Sequence, residues 1–420
     1  MYCGTLSTEG LFRYNQLQPR IMIRLLLTYT LLFTTLLFNT SCEKEALANP
    51  AAVETKKNYY VSSELLTSVP KSMLQSVASS NGYGAYSSEI RHGVSVYRLV
   101  YYTTYQGKEV KASGLVCVPQ QLTAPAPIIS TQHGTIFTQS EAPSNFENLS
   151  GYELLAAGGY VVLVPDYLGF GASKDVFHPY YDQRHSALAV VDMIKAGKVF
   201  LEQQKVPVNG KLFLAGYSEG GYVTLAAQKE IETNPGHGLQ VTASAAGAGG
   251  YDLSAMLSGI TSGKPYPYPA YLAYVLKAYN YTNSWNRPLA DFFQEPYASK
   301  LSSLFNGVNS GGTINRELST DPKKLFSPDF YNALKDTNGE KALKQALQDN
   351  SFLGWAPKSP TRLYHGTADS IVPFENSRLT YERFKAKGAN QVEFIPIEGG
   401  NHGSAFTPML QDMLPWLQSF

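Results

Sequence analysis

The sequence predicts an α/β fold: a mostly parallel central sheet with helices on both faces and a helical segment inserted late in the chain. Three observations carry this. Continuous apolar runs such as Tyr160–Pro165 and Lys211–Ala215 read as strands buried on both faces. They alternate with segments of helical spacing, as in residues 181–204, where Ala187, Val190, Val191, Ile194 and Val199 recur. The alternation breaks once, between residues 251 and 360, over a stretch far longer than the roughly dozen residues a crossover between parallel strands needs.

The N-terminal residues 1–42 read as an export leader. Arg20 and Arg24 precede the uncharged run Leu25–Phe38, which is short for a membrane span and suited to the apolar core of a signal peptide. Met22 would be the more ordinary start. Phe38-Asn39-Thr40-Ser41-Cys42 resembles a bacterial lipobox, in which Cys42 would be lipidated, although the pattern prefers Leu where Asn39 stands. Ala46-Leu47-Ala48 offers ordinary signal cleavage instead. Several acyl chains on Cys42 would anchor the protein to a membrane, whereas one would not. Residues 43–58 read as a polar tether.

The core is expected at 59–250 and 361–420. Val96–Tyr105 and Val110–Pro119, joined by Gln106-Gly107-Lys108-Glu109, read as an antiparallel hairpin. Pro127–Gln132, Tyr160–Pro165, Lys211–Ala215, Val241–Ala246, Arg362–Tyr364 and Val392–Ile395 are the further strands. Helices are expected from Glu219, near 374–387 and near 404–419. In the insertion, 251–360, Leu272, Val275, Leu276 and Tyr279 lie on one helical face, and Leu343 and Leu347 mark a second helix. This segment reads as a helical cap, with Pro265-Tyr266-Pro267-Tyr268-Pro269 as a stiff rim.

The 420 residues carry a formal net charge of +1, and only 16% are charged, which argues against a nucleic-acid partner. Of three cysteines, Cys117 alone would remain as a thiol after lipidation of Cys42, so no disulfide framework is expected. Cys117 reads as a buried apolar side chain. No metal-ligand spacing occurs, and no cofactor is expected.

Chemistry centres on Gly216-Tyr217-Ser218-Glu219-Gly220. A G-x-S-x-G sequence between a strand and a helix is the nucleophile elbow of an α/β-hydrolase fold. Its glycines leave room for a strained serine at a turn too tight for side chains. A serine hydroxyl needs a base to take its proton, and in this fold the acid and histidine follow the serine in the chain. His402, in a glycine-rich loop ahead of the last helix, is the candidate base. Asp369, just past a late strand, is the candidate acid, with Asp252 as its rival. Asp166 precedes the serine and reads as structural. The oxyanion donors would be the amide of Glu219 and that of Thr135, with Gly134 as the alternative to Thr135. His133 reads as a shaper of that loop. His92, His178, His185 and His237 show no partner pattern and read as surface or core residues.

With these residues in view, the chain resembles the secretory lipase family, including fungal lipases of the A type and related bacterial secreted esterases. The resemblance rests on Gln132-His133-Gly134-Thr135, Pro165-Asp166-Tyr167-Leu168-Gly169, His178-Pro179-Tyr180, Gly216–Gly221, His365-Gly366-Thr367-Ala368-Asp369 and Asn401-His402. It spans roughly residues 95–420 and is weakest over the insertion. It implies carboxylic ester hydrolysis through an acyl-enzyme, a cap that shapes the acyl pocket, and the roles of nucleophile, acid and base for Ser218, Asp369 and His402. One departure is Glu219, where the family often has Gln; a carboxylate there would oppose an oxyanion if it pointed inward. A prolyl-oligopeptidase-like peptidase or an acyltransferase would share the same triad. A non-catalytic binding lipoprotein on this fold would have lost it. Acyl length and oligomeric state are not written in the sequence.

Overall fold

Among the described residues, nine strands form one sheet in the order β1-β2-β3-β5-β4-β6-β7-β8-β9. The computed structural model describes residues 57–80 and 84–420; the leader, Cys42 and nearly all of the tether lie outside them. The strands are β1 (Tyr60–Val69), β2 (Val94–Tyr105), β3 (Lys108–Pro119), β4 (Ala126–Gln132), β5 (Val161–Pro165), β6 (Val208–Tyr217), β7 (Ala243–Gly247), β8 (Thr361–Gly366) and β9 (Val392–Ile397). The pairs β1–β2, β2–β3 and β3–β5 are antiparallel. From β5 to β9 every pairing is parallel. The α/β-hydrolase architecture expected from the sequence is the one observed.

The helices are α1 (Lys71–Ser80), α2 (Tyr152–Ala157), α3 (Gln183–Gln203), α4 (Glu219–Thr233), α5 (Leu253–Thr261), α6 (Pro269–Thr282), α7 (Tyr297–Leu304), α8 (Gly311–Glu317), α9 (Pro322–Leu325), α10 (Pro328–Lys335), α11 (Lys341–Asp349), α12 (Phe374–Ala386) and α13 (Phe406–Gln418). The seven helices α5–α11 all lie between β7 and β8.

The reason for the apolar strands is visible at β5. Val161 and Leu163 enter the core that holds Val190, Ile194 and Val223. Val162 and Val164 enter a second core with Phe213, Met409 and Met413. Alternate side chains point to opposite faces of a strand, so a strand covered on both faces cannot be amphipathic. Cys117 sits in the second core, fully buried and unpaired.

The hairpin is tighter than its sequence implied. Tyr105 pairs with Lys108, leaving a two-residue loop of Gln106 and Gly107 with φ of 48° and 77°. Positive φ at both positions gives a turn whose twist matches the strands, so Lys108 and Glu109 belong to β3. Strand β1 has no counterpart among the sequence expectations. It is a half-exposed edge with register shifts at Tyr60/Ser62 and Leu65/Thr67, which break the alternation a sequence pattern needs.

Candidate active site

Ser218 stands where β6 turns into α4, at the carboxyl end of the parallel strands. Its backbone has φ 61° and ψ −125°, a region costly to a residue with a Cβ and held only when the surroundings enforce it. Two features enforce it. The Ser218 N–H donates to the Gly247 carbonyl at the end of β7 (2.8 Å), pinning the turn to the neighbouring strand. The flanking glycines then let the helix start at once: a Cβ on Gly216 would collide with the carbonyl of Gly220, and one on Gly220 with that of Gln132. The Glu219 N–H, first of the helix, has no carbonyl four residues earlier within the helix to take it.

The loops after β8 and β9 bring two further groups to the serine. His402 Nε2 lies 2.9 Å from Ser218 Oγ, and its Nδ1 lies 2.6 Å from Asp369 Oδ2. An ionised carboxylate only accepts, so Nδ1 carries the hydrogen and Nε2 is free to accept from the serine hydroxyl. The Asn401 side chain shapes the histidine loop, accepting from the N–H groups of Gly403 and Ser404 (3.0 and 2.9 Å). The two loops are also joined to each other, by Ala368 N–H on the Gly400 carbonyl (3.0 Å).

Asp369 is gripped from several sides. Its Oδ1 accepts from the amides of Ile371 and Val372 (2.8 and 3.0 Å). A second histidine, His365, places Nε2 at 3.2 Å from Oδ2 and is itself fully buried. His365 Nδ1 faces the Ser377 hydroxyl (2.6 Å). Burial pushes the Asp369 carboxyl up, but the hydrogen bonds from His365, His402 and Ile371 outweigh it and hold the group well below the usual carboxylate range. No sequence pattern singles out His365, although it stands four residues ahead of Asp369 in the chain.

The rival acids are engaged elsewhere. Asp252 caps α5 through the Ala255 amide (2.9 Å) and pairs with Arg383 (2.9 Å). Asp166 is buried and accepts from the Ser113 hydroxyl (2.5 Å) and from the hydroxyl and amide of Ser144 (2.5 and 2.7 Å). His133 stacks on Tyr167 at 4.0 Å between ring centroids and lies against the Gly134 and Asp166 carbonyls. Burial lowers its basicity. The loop it shapes runs beside the nucleophile: a Cβ built on Gly134 would lie 3.7 Å from that of Ser218, in ordinary contact.

The histidines without a sequence pattern do have partners. His185 pairs with Asp182 and His237 with Glu230, and His92 meets the Gln120 carbonyl. His178 reaches the site itself. Its Nε2 lies 2.9 Å from Glu219 Oε1, with both side chains almost fully buried. The Glu219 carboxylate is therefore engaged by a histidine whose sequence surroundings show no partner pattern.

Ser218 and Thr135 open onto a cavity of about 500 Å³. Its wall is mainly apolar and comes from the segment between β7 and β8, with Met256 of α5, Leu272 and Val275 of α6, Phe330 of α10 and Leu347 of α11. Tyr180 and Tyr274 stack beside it at 4.7 Å.

A parallel sheet ending in a serine elbow, with loops after β8 and β9 converging on it, defines an α/β-hydrolase. The chain belongs to the secretory lipase family, whose profile matches residues 133–419. It is 25% identical over 331 residues to Lipase 6 of Candida albicans, covering 75% of this chain and 65% of that one. With Lipase 2 of the same organism it is 24% identical, covering 59% of this chain and 53% of the relative. The chain thus spans between half and two thirds of the length of these curated relatives. Among solved structures, a putative hydrolase from Legionella pneumophila superposes with a TM-score of 0.79 at 26% identity, covering 86% of this chain and 98% of that one. The rice cell wall degrading esterase LipA of Xanthomonas oryzae gives 0.75 at 28% identity, covering 84% and 95%.

Proposed function

We propose that this chain is an exported serine hydrolase of carboxylic esters, an esterase or lipase that works through an acyl-enzyme. The observation that carries the reading is the unbroken line of hydrogen bonds from Asp369 through His402 to Ser218. That line ends beside an apolar cavity large enough for an acyl chain. Family membership points the same way.

In this reading Ser218 Oγ attacks the ester carbonyl while His402 Nε2 takes its proton. Asp369, already ionised, stabilises the imidazolium and keeps the ring in the needed tautomer. The N–H groups of Glu219 and Thr135 receive the oxyanion, a contribution typically worth about 10²–10³ in kcat per donor. His402 then returns its proton to the departing alkoxide. Water, deprotonated by the same histidine, releases the acid. The helices between β7 and β8 act as a cap, and their apolar wall selects the acyl group.

Export rests on the family's secretory character together with the leader at residues 1–42. A lipid anchor at Cys42 belongs to the same proposal. Labelled palmitate should enter the wild-type protein and be absent from Cys42→Ala; label retained in that variant removes the anchor. For the activity, hydrolysis of p-nitrophenyl esters and labelling by a fluorophosphonate should both vanish in Ser218→Ala. Hydrolysis that persists refutes the reading, and products formed with an added alcohol separate hydrolysis from acyl transfer.

A further inference from the structure

His178 and Glu219 face each other in a way that fixes a proton count. The Leu168 carbonyl lies 2.7 Å from His178 Nδ1. A carbonyl only accepts, so Nδ1 carries a hydrogen. The other nitrogen, Nε2, lies 2.9 Å from Glu219 Oε1, and an ionised carboxylate also only accepts. A hydrogen must therefore sit between Nε2 and Oε1, as imidazolium with carboxylate or as imidazole with carboxylic acid. In both forms the pair is neutral overall. If that hydrogen is lost, two acceptors oppose each other and a net negative charge is left.

The place of that charge matters. Glu219 directly follows Ser218 and supplies a candidate oxyanion donor through its own backbone N–H. The side chain is nearly fully buried, at 2% exposure, and that of His178 is at 5%. Few mobile waters reach a group so enclosed, and screening there is weak. The titratable groups around the pair do not compensate it. His133 of the loop after β4 and Tyr167 of the loop after β5 are uncharged, because burial lowers the first and raises the second. Burial likewise keeps Tyr180 and Tyr181 before α3, and Tyr222 of α4, in the phenol form. The same holds for Tyr271 and Tyr274 of α6.

We propose that His178 is a positioning residue for the oxyanion site: it shares one proton with Glu219, holds that carboxylate against its own ring, and keeps net negative charge away from the forming oxyanion. This rests on the serine-hydrolase reading above. Where the histidine is missing, kcat falls, because the charge left on Glu219 opposes the transition state. KM is largely spared, since a neutral ester feels that charge little in the ground state.

The test is kcat and KM for a p-nitrophenyl ester, expressed per serine titrated by a fluorophosphonate so that only folded sites count. Glu219→Gln keeps the contact without a charge, since its amide donates to a neutral His178 Nε2. His178→Ala leaves Glu219 charged and alone and should lower kcat by about tenfold or more with KM little changed. Adding Glu219→Gln to it should recover much of the loss, which a merely structural role for the histidine would not produce. A His178→Ala variant that keeps the kcat of wild type overturns the proposal. So does a double variant no better than His178→Ala. If His178→Ala does not fold, His178→Phe with and without Glu219→Gln decides by the same comparison. Ser218→Ala separates the two levels: inactivity there without rescue in the double variant refutes only the pair, whereas activity there removes the hydrolase reading and the pair with it.

Discussion

The Tyr217 hydroxyl donates to the backbone carbonyl of His402 at 2.7 Å, so the residue before the candidate nucleophile holds the loop that carries the candidate base. Its ring also sits 5.4 Å from the imidazole and 5.4 Å from Phe406. Elbow and histidine loop belong to elements far apart in the chain.

 185 positions separate the two residues along the chain. A hydrogen bond of this kind contributes a net ~0.5–1.5 kcal/mol. Tyr217→Phe should therefore lower kcat by about two- to twelvefold with KM little changed, as steady-state ester hydrolysis would record.

Asp369→Asn keeps the shape of the acid but favours the wrong imidazole tautomer. The expected loss in kcat is on the order of 10⁴-fold. The same variant bears on acid stability. The folded-state value of Asp369 is depressed, so its contribution is present above the ordinary carboxylate value and lost as pH falls through the lowered one. The unfolding free energy of Asp369→Asn should accordingly fall less steeply with acid than that of wild type in urea titrations.

Gly220→Ala tests the packing of the elbow. A Cβ there would meet the backbone of Gln132 and would lie 2.8 Å from the His133 carbonyl oxygen. Neither backbone can move without shifting β4. A loss of about 1–3 kcal/mol in unfolding free energy is expected, together with slower fluorophosphonate labelling of Ser218.

Lys277 on α6 is brought down from 10.5 to about 8 by burial, with its ammonium 5.4 Å and 5.6 Å from the ring centres of Phe177 and Phe305. A lysine with a lowered folded-state value binds fewer protons than the unfolded chain between these two values, so stability should rise with pH from about 8 to 10.5. In Lys277→Met that rise should shrink, as denaturant midpoints across the pH series would report.

Val275 lines the cavity beside Ser218. Val275→Trp fills part of that space and should shift preference toward shorter acyl chains. The readout is kcat/KM across p-nitrophenyl esters of increasing length; a profile unchanged by the substitution would place the acyl group elsewhere.

Much of this fold is legible in the sequence because burial on both faces leaves a plain mark. Val161–Val164 feeds two cores and reads as a strand without further help. Strand β1 is illegible for the opposite reason: its polar positions and register shifts leave no period to detect. Helices α7–α10 span only four to eight residues each, too few for a helical repeat to stand out. At the site, chain order nominates Ser218, Asp369 and His402, and hydrogen bonds join these three. The contact between His178 and Glu219 is hidden from sequence, because 41 positions separate them and only the folded loop after β5 brings them together.

Strands β7 and β8 are parallel neighbours, paired from Ser244 with Thr361 to Gly247 with Tyr364. The chain leaves the sheet from one and returns at the other, carrying seven helices between. Everything inserted there begins and ends at adjacent points of the sheet. A change of length inside that excursion leaves its two ends, and the strand that carries Ser218, where they are. In such an arrangement most of the wall of the cavity beside Ser218 can be rewritten within a single stretch of the chain.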